Sequence, residues 1–368
     1  MLLLEADGKA LFAQAGVPIP AGRLASAGEA PELPGPGPWV VKAQVPAGGR
    51  GKAGLIRRCA DPAAVRAALH DLFGAPHKGH RVEVCLIEPM ISGSEQYLAL
   101  MLDPVGYGVR LICHPRGGID VEAAGQFAGV ACATDPPAIE AAIAQTIPHP
   151  ATATAARALG RLLITRELML AEINPLFVTA DACVAGDAKV VIDLNALPRQ
   201  PGLAALIAAR PGAYADTARK LASGFDYVAI DPAGTIGLLT TGAGLSMMLI
   251  DELVARGARP LNFCDIRTSM LRGSPARIIA ALGWMTAHKS LRVVLVNIFA
   301  GITDLGEFAA LLADAIAQSP ALRVPVVARL IGRGADDARR VLAVRAPAVT
   351  VEDDLSAALA RVSAAVAA

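Results

Sequence analysis

The stretch from residue 42 to residue 54 reads KAQVPAGGRGKAG and follows the apolar run 39–41, which is typical of a buried strand. The strand delivers Lys42, and the loop after it holds four glycines and two further cations, Arg50 and Lys52. Glycines let backbone N–H groups close around an anion, and the cations neutralise its charge. The composition fits two structures equally, a flexible lid over a nucleoside triphosphate and a surface hairpin with a basic tip. It is not a P-loop, because the pattern G-x-x-x-x-G-K-S/T is absent.

Length and composition exclude several classes of protein. A chain of 368 residues is long enough for two or three domains, and its net charge of +1 does not indicate nucleic acid or an anionic membrane as the main partner. The longest apolar run, around residues 293–302, is too short to cross a bilayer, and the N-terminus lacks the features of a signal peptide. Six scattered cysteines without a C-x-x-C pair and six histidines without ligand spacing argue against disulfide frameworks and zinc sites. We therefore expect a cytoplasmic protein.

The pattern of strands and helices changes near residue 222, so we predict two α/β domains, 1–222 and 223–368. The first mixes short strands with polar loops, and its candidate strands are 39–45, 81–90, 96–102, 109–114, 168–178 and 183–193. The second alternates apolar strands with helices in five units, which predicts a parallel, doubly wound sheet. Ligands of such sheets bind beyond the carboxyl ends of the strands, here in the loops 241–244, 267–273, 300–305 and 331–334.

Residues 168–193 read as a strand, a turn and a second strand. A turn centred between positions 180 and 181 places Asn174 opposite Asp187 and Glu172 opposite Lys189, with all four side chains on one face. A carboxylate beside an amide oxygen is a pair of hard ligands that suits Mg²⁺. The alternative is a polar, solvated face with a cross-strand Glu–Lys pair. Because the flanking residues of that face are apolar, we favour the metal site.

Four segments resemble the β subunits of succinate–CoA ligases and their malate–CoA ligase relatives. They are the lysine–glycine loop, E-I-N-P-L at 172–176, T-G-A-G-L at 241–245 and V-L-V-N-I-F at 294–299. The resemblance runs from about residue 5 to the C-terminus. It implies an N-terminal ATP-grasp domain and a C-terminal flavodoxin-like domain, with Mg²⁺ as cofactor and ATP, coenzyme A and a small carboxylic acid as substrates. It also implies an α partner, in an αβ or α₂β₂ heteromer, which binds coenzyme A and carries a histidine that is phosphorylated in each cycle.

The resemblance implies roles for matching residues of the first domain. Asn174 and Asp187 match the Mg²⁺ ligands, in agreement with the hairpin geometry. Glu172 matches the carboxylate that orients the partner's histidine at the nucleotide, which makes it the expected catalytic residue. The expected nucleotide-binding residues are Lys42, Gly49, Arg50, Gly51, Glu88 and Glu95. A proline at position 20 favours an ADP-forming rather than a GDP-forming member.

In the second domain, the resemblance places the acid at the strand exits. Helix N-termini that begin with glycine bind anions, and the family pairs two such helices, one from each subunit, around the phosphohistidine. Three departures from the family lie here: a threonine replaces asparagine at position 241, 267–273 replaces a glycine-rich run, and A-G-I-T-D replaces G-G-I-V-R at 300–304. The arginines of the second segment fit either a carboxylate or sulfonate clamp or a salt-bridged interface loop. The expected substrate-binding residues are Thr241, Gly242, Gly301, Ile302, Thr303 and Arg272.

Two functions follow from these patterns. In the first, ATP phosphorylates the α partner's histidine, the phosphoryl group passes to a carboxylic acid, and coenzyme A displaces it from the acyl phosphate. Since none of the six histidines lies in a glycine-rich strand–helix turn, we expect the chain to be inactive alone. In the second, the chain is a non-catalytic nucleotide-binding regulatory or scaffold subunit, a reading that the altered acid-side loops favour. The retained Glu172, Asn174 and Asp187 oppose it.

Overall fold

A computed structural model describes residues 1–29, 31–118 and 129–368, and these form two compact units, Met1–Ala213 and Tyr214–Ala368. The predicted α/β class is confirmed. The helices and strands of the first unit are, in chain order, α1 (Glu5–Gln14), β1 (Arg23–Ser26), β2 (Trp39–Gln44), β3 (Ile56–Cys59), α2 (Pro62–Leu72), β4 (Pro76–His77), β5 (His80–Arg81), β6 (Val84–Pro89), β7 (Ser94–Asp103), β8 (Gly108–His114), β9 (Val130–Cys132), α3 (Pro136–Thr146), α4 (Pro150–Thr165), β10 (Leu168–Val178), β11 (Cys183–Ala185), β12 (Lys189–Ile192) and α5 (Pro201–Ala208).

Two larger antiparallel sheets and one small hairpin make up the first unit. One sheet has the order β1-β6-β2-β3 and packs against α2, whose Val65 and Leu69 join Val41 and Ile87 in a buried core. The other has the order β11-β10-β7-β8-β9, with β12 also paired to β10, and packs against α3 and α4. The hairpin consists of β4 and β5.

Helix α1 was not among the predicted elements, and its burial explains why. The face that it buries includes the charged side chains Glu5, Asp7 and Lys9 beside Leu11 and Phe12. A helix is predicted from apolar residues that recur with its period, and here charges occupy half of those positions. The Glu5 and Lys9 side chains are almost fully buried, at 2% exposure each, so they must be paired inside the protein.

The helices and strands of the second unit are α6 (Ala215–Ser223), β13 (Asp226–Ala229), β14 (Ile236–Thr240), α7 (Ala243–Ala255), β15 (Asn262–Asp265), α8 (Ala276–Thr286), β16 (Val293–Ala300), α9 (Leu305–Ala317), β17 (Val326–Gly332), α10 (Ala335–Arg345), β18 (Val349–Val351) and α11 (Leu355–Ala367). The strands form one six-stranded sheet with the order β13-β15-β14-β16-β17-β18. The predicted parallel pairing is confirmed for β14 to β18, but the edge strand β13, which was not predicted, runs antiparallel to β15.

Helices cover both faces of this sheet. Leu249 of α7 and Leu359 of α11 pack on one face, while Leu282 of α8, Phe308 of α9 and Leu342 of α10 pack on the other. Double coverage explains why the central strands are apolar on both sides rather than alternating. Among the described residues, no helix is both long enough and apolar enough to cross a membrane.

Candidate nucleotide site and acid-facing rim

The first unit contains a cavity of about 1350 Å³ between its sheets and the loop of residues 45–55, here called the glycine loop. The loop after β2, the ends of β6 and β10 and the segment after β11 contribute to its wall. The residues predicted to act on nucleotide, metal or histidine all line this cavity: Lys42, Gly49, Arg50, Gly51, Glu88, Glu95, Glu172, Asn174 and Asp187.

A buried network of charges forms one side of the cavity. Lys42 lies on the central strand β2, and its Nζ is 2.7 Å from Glu5 Oε1 and 2.8 Å from Glu88 Oε2. Lys9 Nζ approaches the same carboxylates, at 2.9 Å and 2.6 Å. Both ammonium groups also donate to the carbonyl oxygen of Gly186, at 2.9 Å from Lys9 and 2.5 Å from Lys42. The network therefore joins α1, β2, β6 and the segment that follows β11.

Arg50 extends this network into the glycine loop. Its Nη1 is 2.8 Å from Glu5 Oε2, and its Nη2 is 3.0 Å from Asp187 Oδ1. The same Nη1 donates to the carbonyl oxygen of Ala43 at 3.1 Å. Asp187 accepts a further bond from the N–H of Ala188 at 2.7 Å. The loop is thus fastened to both walls of the cavity, and the three cations Lys9, Lys42 and Arg50 face three carboxylates.

In this network, the ion pairs together have a larger effect on the pKa values than burial has. Burial would raise the pKa of Glu5, but the three cations, Lys42 first, outweigh it and hold that pKa well below its usual value. Burial would lower the pKa of Lys42, but neighbouring carboxylates, Glu5 first, raise it. Burial would likewise lower the pKa of Arg50, but Asp187 and Glu5 raise it. Every member with a shifted pKa is therefore held in its charged form at neutral pH.

The Glu88 side chain is part of this network. Its carboxylate accepts two bonds from Lys9, at 2.6 Å and 2.7 Å, and its side chain is only 2% exposed. The role that the resemblance implies for Glu88 is a contact of its backbone with the adenine, and this role stays a prediction. Glu88 lies at the end of β6, where Met90 and Ile91 also line the cavity.

The predicted hairpin register is confirmed for the pairs from Leu170 to Val178, and it shifts by one residue at Leu168, which pairs with Ile192. Glu172 lies opposite Lys189, and their side chains form an ion pair of 3.1 Å. The second predicted strand, 183–193, is divided into β11 and β12, so the residues between them, which include Asp187, are not part of the strands that pair with β10. Pro175, which has no N–H to donate, accepts instead from the N–H of Gly186 at 2.9 Å. The register is the same on both sides of this interruption, which leaves Asp187 facing the cavity.

Asn174 and Asp187 both line the cavity and carry the oxygen types that Mg²⁺ prefers. Asn174 Oδ1 accepts from the N–H of Gly118 at 2.6 Å and Asn174 Nδ2 donates to the Gly118 carbonyl oxygen at 3.2 Å, while Asp187 accepts from Arg50. The described residues contain no cluster of three or more His, Cys, Asp or Glu side chains arranged for a metal. A carboxylate and an amide oxygen still suffice for Mg²⁺, which keeps water and phosphate oxygens as its other ligands.

Tyr97 is a cavity residue that sequence reasoning missed. It lies on β7, lines the cavity, and interacts with Glu172. Burial raises the pKa of the Tyr97 hydroxyl, and the charge and hydrogen bond of Glu172 raise it further. The Tyr97 hydroxyl therefore stays protonated at neutral pH and is able to donate to Glu172. Sequence reasoning also missed Glu5 and Lys9, because nothing in the pattern of α1 marks a buried charge.

The second unit places the predicted acid-binding residues at the carboxyl edge of its sheet, beside helices α7 and α9, whose N-termini differ. Helix α7 begins after Gly242 without a side-chain cap, although the N–H of Gly242 itself donates to Asp265 Oδ1 at 3.0 Å. Helix α9, in contrast, begins after Asp304, whose carboxylate accepts from the N–H groups of Gly306 and Glu307. A capped N-terminus has fewer free N–H groups for an external anion. Helix α7 is therefore the better anion site of the two.

The two loop arginines do not form a joint clamp. Arg267 Nη2 is 2.7 Å from Asp226 Oδ2, and the same carboxylate binds Lys220 at 2.7 Å. Burial would raise the pKa of Asp226, but the hydrogen bonds of Lys220 and Arg267 lower it. Arg272 is exposed and makes no ion pair with any residue in the described ranges. Arg267 thus belongs to a salt-bridged loop, and Arg272 alone is available to an acid.

One further contact shapes this rim. Thr268 Oγ1 and Thr303 Oγ1 lie 2.9 Å apart, which ties the exit of β15 to the exit of β16. Ile302, next to Thr303, is 87% exposed. Thr241 directly follows β14 and stands before Gly242, after which α7 begins.

Comparisons with known proteins agree with both units. The family description ATP-grasp domain matches residues 2–128, and the family description CoA-ligase matches residues 239–362. The succinate–CoA ligase (ADP-forming) subunit beta 2 of Archaeoglobus fulgidus is 33% identical over 364 residues, which cover 93% of this chain and 92% of that protein. The protein of the same name from Streptomyces coelicolor is 35% identical over 362 residues, with coverages of 94% and 92%.

A solved structure shares the fold at lower identity. ATP citrate lyase from Methanothrix soehngenii, solved in complex with citrate and coenzyme A, superposes with a TM-score of 0.70 over 95% of both chains. Its sequence is 17% identical to this chain, so it supports the fold alone.

The charge of Glu5 should make the stability of the first unit depend on pH. Its native pKa lies well below its unfolded value of about 4.3, so its contribution to the free energy of unfolding is fully present above that pH and is lost as the pH falls from there through the native pKa. Glu5→Gln should therefore cost about 3 kcal/mol or more at pH 7, and the difference from the parent should shrink below about pH 4.

Urea unfolding of a Trp284→Phe parent measures this effect, because Trp39 in the core of the first unit is then the only tryptophan. The exposed Glu32, changed to Gln, is the control and should have little effect at either pH. An equal loss for Glu5→Gln at about pH 3 and at pH 7 would show that its charge is not the source of the stability.

Proposed function

We propose that this chain, which belongs to the family of succinate–CoA ligase β subunits, is the ATP-binding subunit of an acid–CoA ligase that works with an α-type partner. One observation carries the proposal: a single cavity contains the cations Lys42 and Arg50, the oxygen pair Asn174 and Asp187, and the carboxylate Glu172. Phosphoryl transfer needs cations and a pair of oxygen ligands for a metal ion. A carboxylate beside them is needed only if another group is brought to the phosphate.

The nucleotide would exchange partners with the buried network. Its phosphates would take the places that Glu5 and Asp187 now hold on Arg50, and the backbone N–H groups of the loop at Gly49 and Gly51 would close over them. Lys42 sits on a rigid strand and would supply a fixed positive charge. Glu95, at the start of β7, would face the ribose or the phosphates.

A magnesium ion, held by Asn174 and Asp187 together with phosphate oxygens and water, would neutralise phosphate charge during transfer. Glu172 would act on the partner's histidine. Its side chain is 12% exposed at the cavity wall and is held there by Lys189. A carboxylate in this position accepts the N–H of one ring nitrogen, which leaves the other nitrogen as the nucleophile toward the γ-phosphate.

The remaining steps would use the second unit and the partner. The phosphohistidine would pass its phosphoryl group to a carboxylic acid bound at the rim of Thr241, Gly242, Gly301–Thr303 and Arg272. The thiol of coenzyme A would then displace phosphate from the acyl phosphate and form the thioester. The N-terminus of α7, which has no side-chain cap, supports this site, since free N–H groups stabilise an anion.

Coexpression with the α-type partner tests the proposal. An acid–CoA ligase should release ADP only when a carboxylic acid and coenzyme A are both present, and a screen of small acids would identify the substrate. A regulatory or scaffold subunit would bind MgATP without this dependence. ADP release that ignores both acid and coenzyme A would therefore refute the proposed function.

Two substitutions should separate metal binding from histidine orientation. Asp187→Asn should reduce phosphorylation of the partner from labelled ATP by roughly 100-fold or more, because the charged metal ligand is lost. Glu172→Gln should reduce the rate roughly 100-fold while leaving MgATP affinity near that of the parent, since its carboxylate acts on the histidine alone. Asp181→Asn, at the far turn of the same hairpin, is the matched control. Near-normal phosphorylation by either variant would contradict its assigned role.

The rim predicts that succinate is not the best substrate. Thr241 lacks the amide donors of asparagine, Arg267 is engaged by Asp226, and Arg272 is available with its planar fork. We therefore expect a small acid with an additional polar or anionic group to be preferred. Arg272→Ala should lower kcat/KM for that acid by about tenfold or more and leave the KM for ATP unchanged. A best rate with succinate, together with an unchanged kcat/KM in the variant, would contradict this.

A further inference from the structure

The hairpin of β4 and β5 has an unusual residue in its turn. His77 pairs with His80, so the loop has two residues, Lys78 and Gly79, with φ of 47° and 83°. Two-residue hairpin loops with positive φ at both positions are of type I′, which favours Asn, Asp or Gly at the first position. A lysine there is strained, and such strain persists chiefly where the side chain has a function.

The side chain of Lys78 points to the glycine loop. Its Nζ is so close to Gly49 that a methyl group on that glycine would lie 3.5 Å from it. Lys78 also lines the same cavity as Lys42 and Arg50. The hairpin is fastened at this place, because His77 Nε2 lies 3.0 Å from the carbonyl oxygen of Gly48. The turn therefore holds an ammonium group against the loop that is expected to close over phosphates.

The charge of Lys78 differs from that of the buried cations. Lys9, Lys42 and Arg50 are matched by three carboxylates, so their network brings no net charge to a polyanion. Lys78 is exposed and makes no ion pair within the described part of the chain. It can meet a phosphate without first giving up a carboxylate.

From this geometry we infer that Lys78 is a phosphate-binding residue of the lid, which contacts the polyphosphate of the bound nucleotide. The inference rests on the proposed nucleotide binding of the first unit. The strained turn is retained because the residues that the turn prefers carry no positive charge. Lys78 thus adds the net attraction that the neutral network lacks.

Lys78→Asn tests this inference, because it removes the charge and installs a residue that the turn prefers. Binding of a non-hydrolysable MgATP analogue and of AMP to the full chain would be measured by calorimetry, with melting temperature as a second readout. We expect Kd for the MgATP analogue to rise roughly three- to tenfold, the size of an exposed charge pair. The Kd for AMP should change little, the melting temperature should stay equal or rise, and Lys78→Arg should restore binding.

Arg81→Gln is the matched control, because Arg81 is a cation of the same hairpin that donates to the carbonyl oxygen of Gly74 and is not among the described residues that line the cavity. It should leave the Kd for the analogue near that of the parent. An unchanged Kd for Lys78→Asn, with normal binding by the parent, would overturn this inference alone. Equal weakening for AMP with a lower melting temperature would overturn it too, as a purely structural role. Failure of the parent to bind any nucleotide would overturn the proposed function as well.

Discussion

The first unit depends on the pairing of buried charge. Six charged side chains, three carboxylates and three cations, are joined by a continuous chain of ion pairs. A single charge buried in this way would be too costly, whereas a neutral set with short contacts is tolerated. The pairing brings together α1, β2, the glycine loop, β6 and the segment after β11, which are far apart in sequence. Each of these elements positions a wall of the nucleotide cavity, so charge balance and site geometry are one constraint.

This constraint shapes how a ligand can enter. A polyanion cannot simply add to a neutral network; it must replace carboxylates, and a cation must take up the carboxylates that are released. Asp187 joins the two events, because it now binds Arg50 and faces the cavity beside Asn174. Nucleotide and metal are therefore expected to bind together. Fixed strands hold Lys42 and Glu172 throughout, so the exchange requires movement of the loop and of few other groups.

Sequence reasoning found what local patterns encode and missed what depends on distant partners. The bounds of β10 and the pairing of Glu172 with Lys189 agree with prediction, because strand alternation and one turn determine them. Helix α1 escaped because its buried face is charged, and the edge strand β13 escaped because it has four residues. Sequence reasoning left the arginine loop open between a clamp and a salt-bridged loop, and the ion pair of Arg267 with Asp226, 41 positions away in sequence, favours the second. Ion-pair partners of this kind leave no trace in spacing.

Lys9 and Lys42 both donate to the carbonyl oxygen of Gly186, and this shared acceptor restricts how position 186 can evolve. A side chain at Gly186 would place its first carbon 2.4 Å from the Phe177 ring and 2.8 Å from the carbonyl oxygen of Pro175, so the backbone there would have to shift. That shift would displace the acceptor of both lysines at once. Loops at the rim of the second unit can diversify one residue at a time, and new acid preferences can arise there gradually. Position 186 has no such gradual route, and a lineage that loses this glycine loses the shared acceptor of Lys9 and Lys42 in one step.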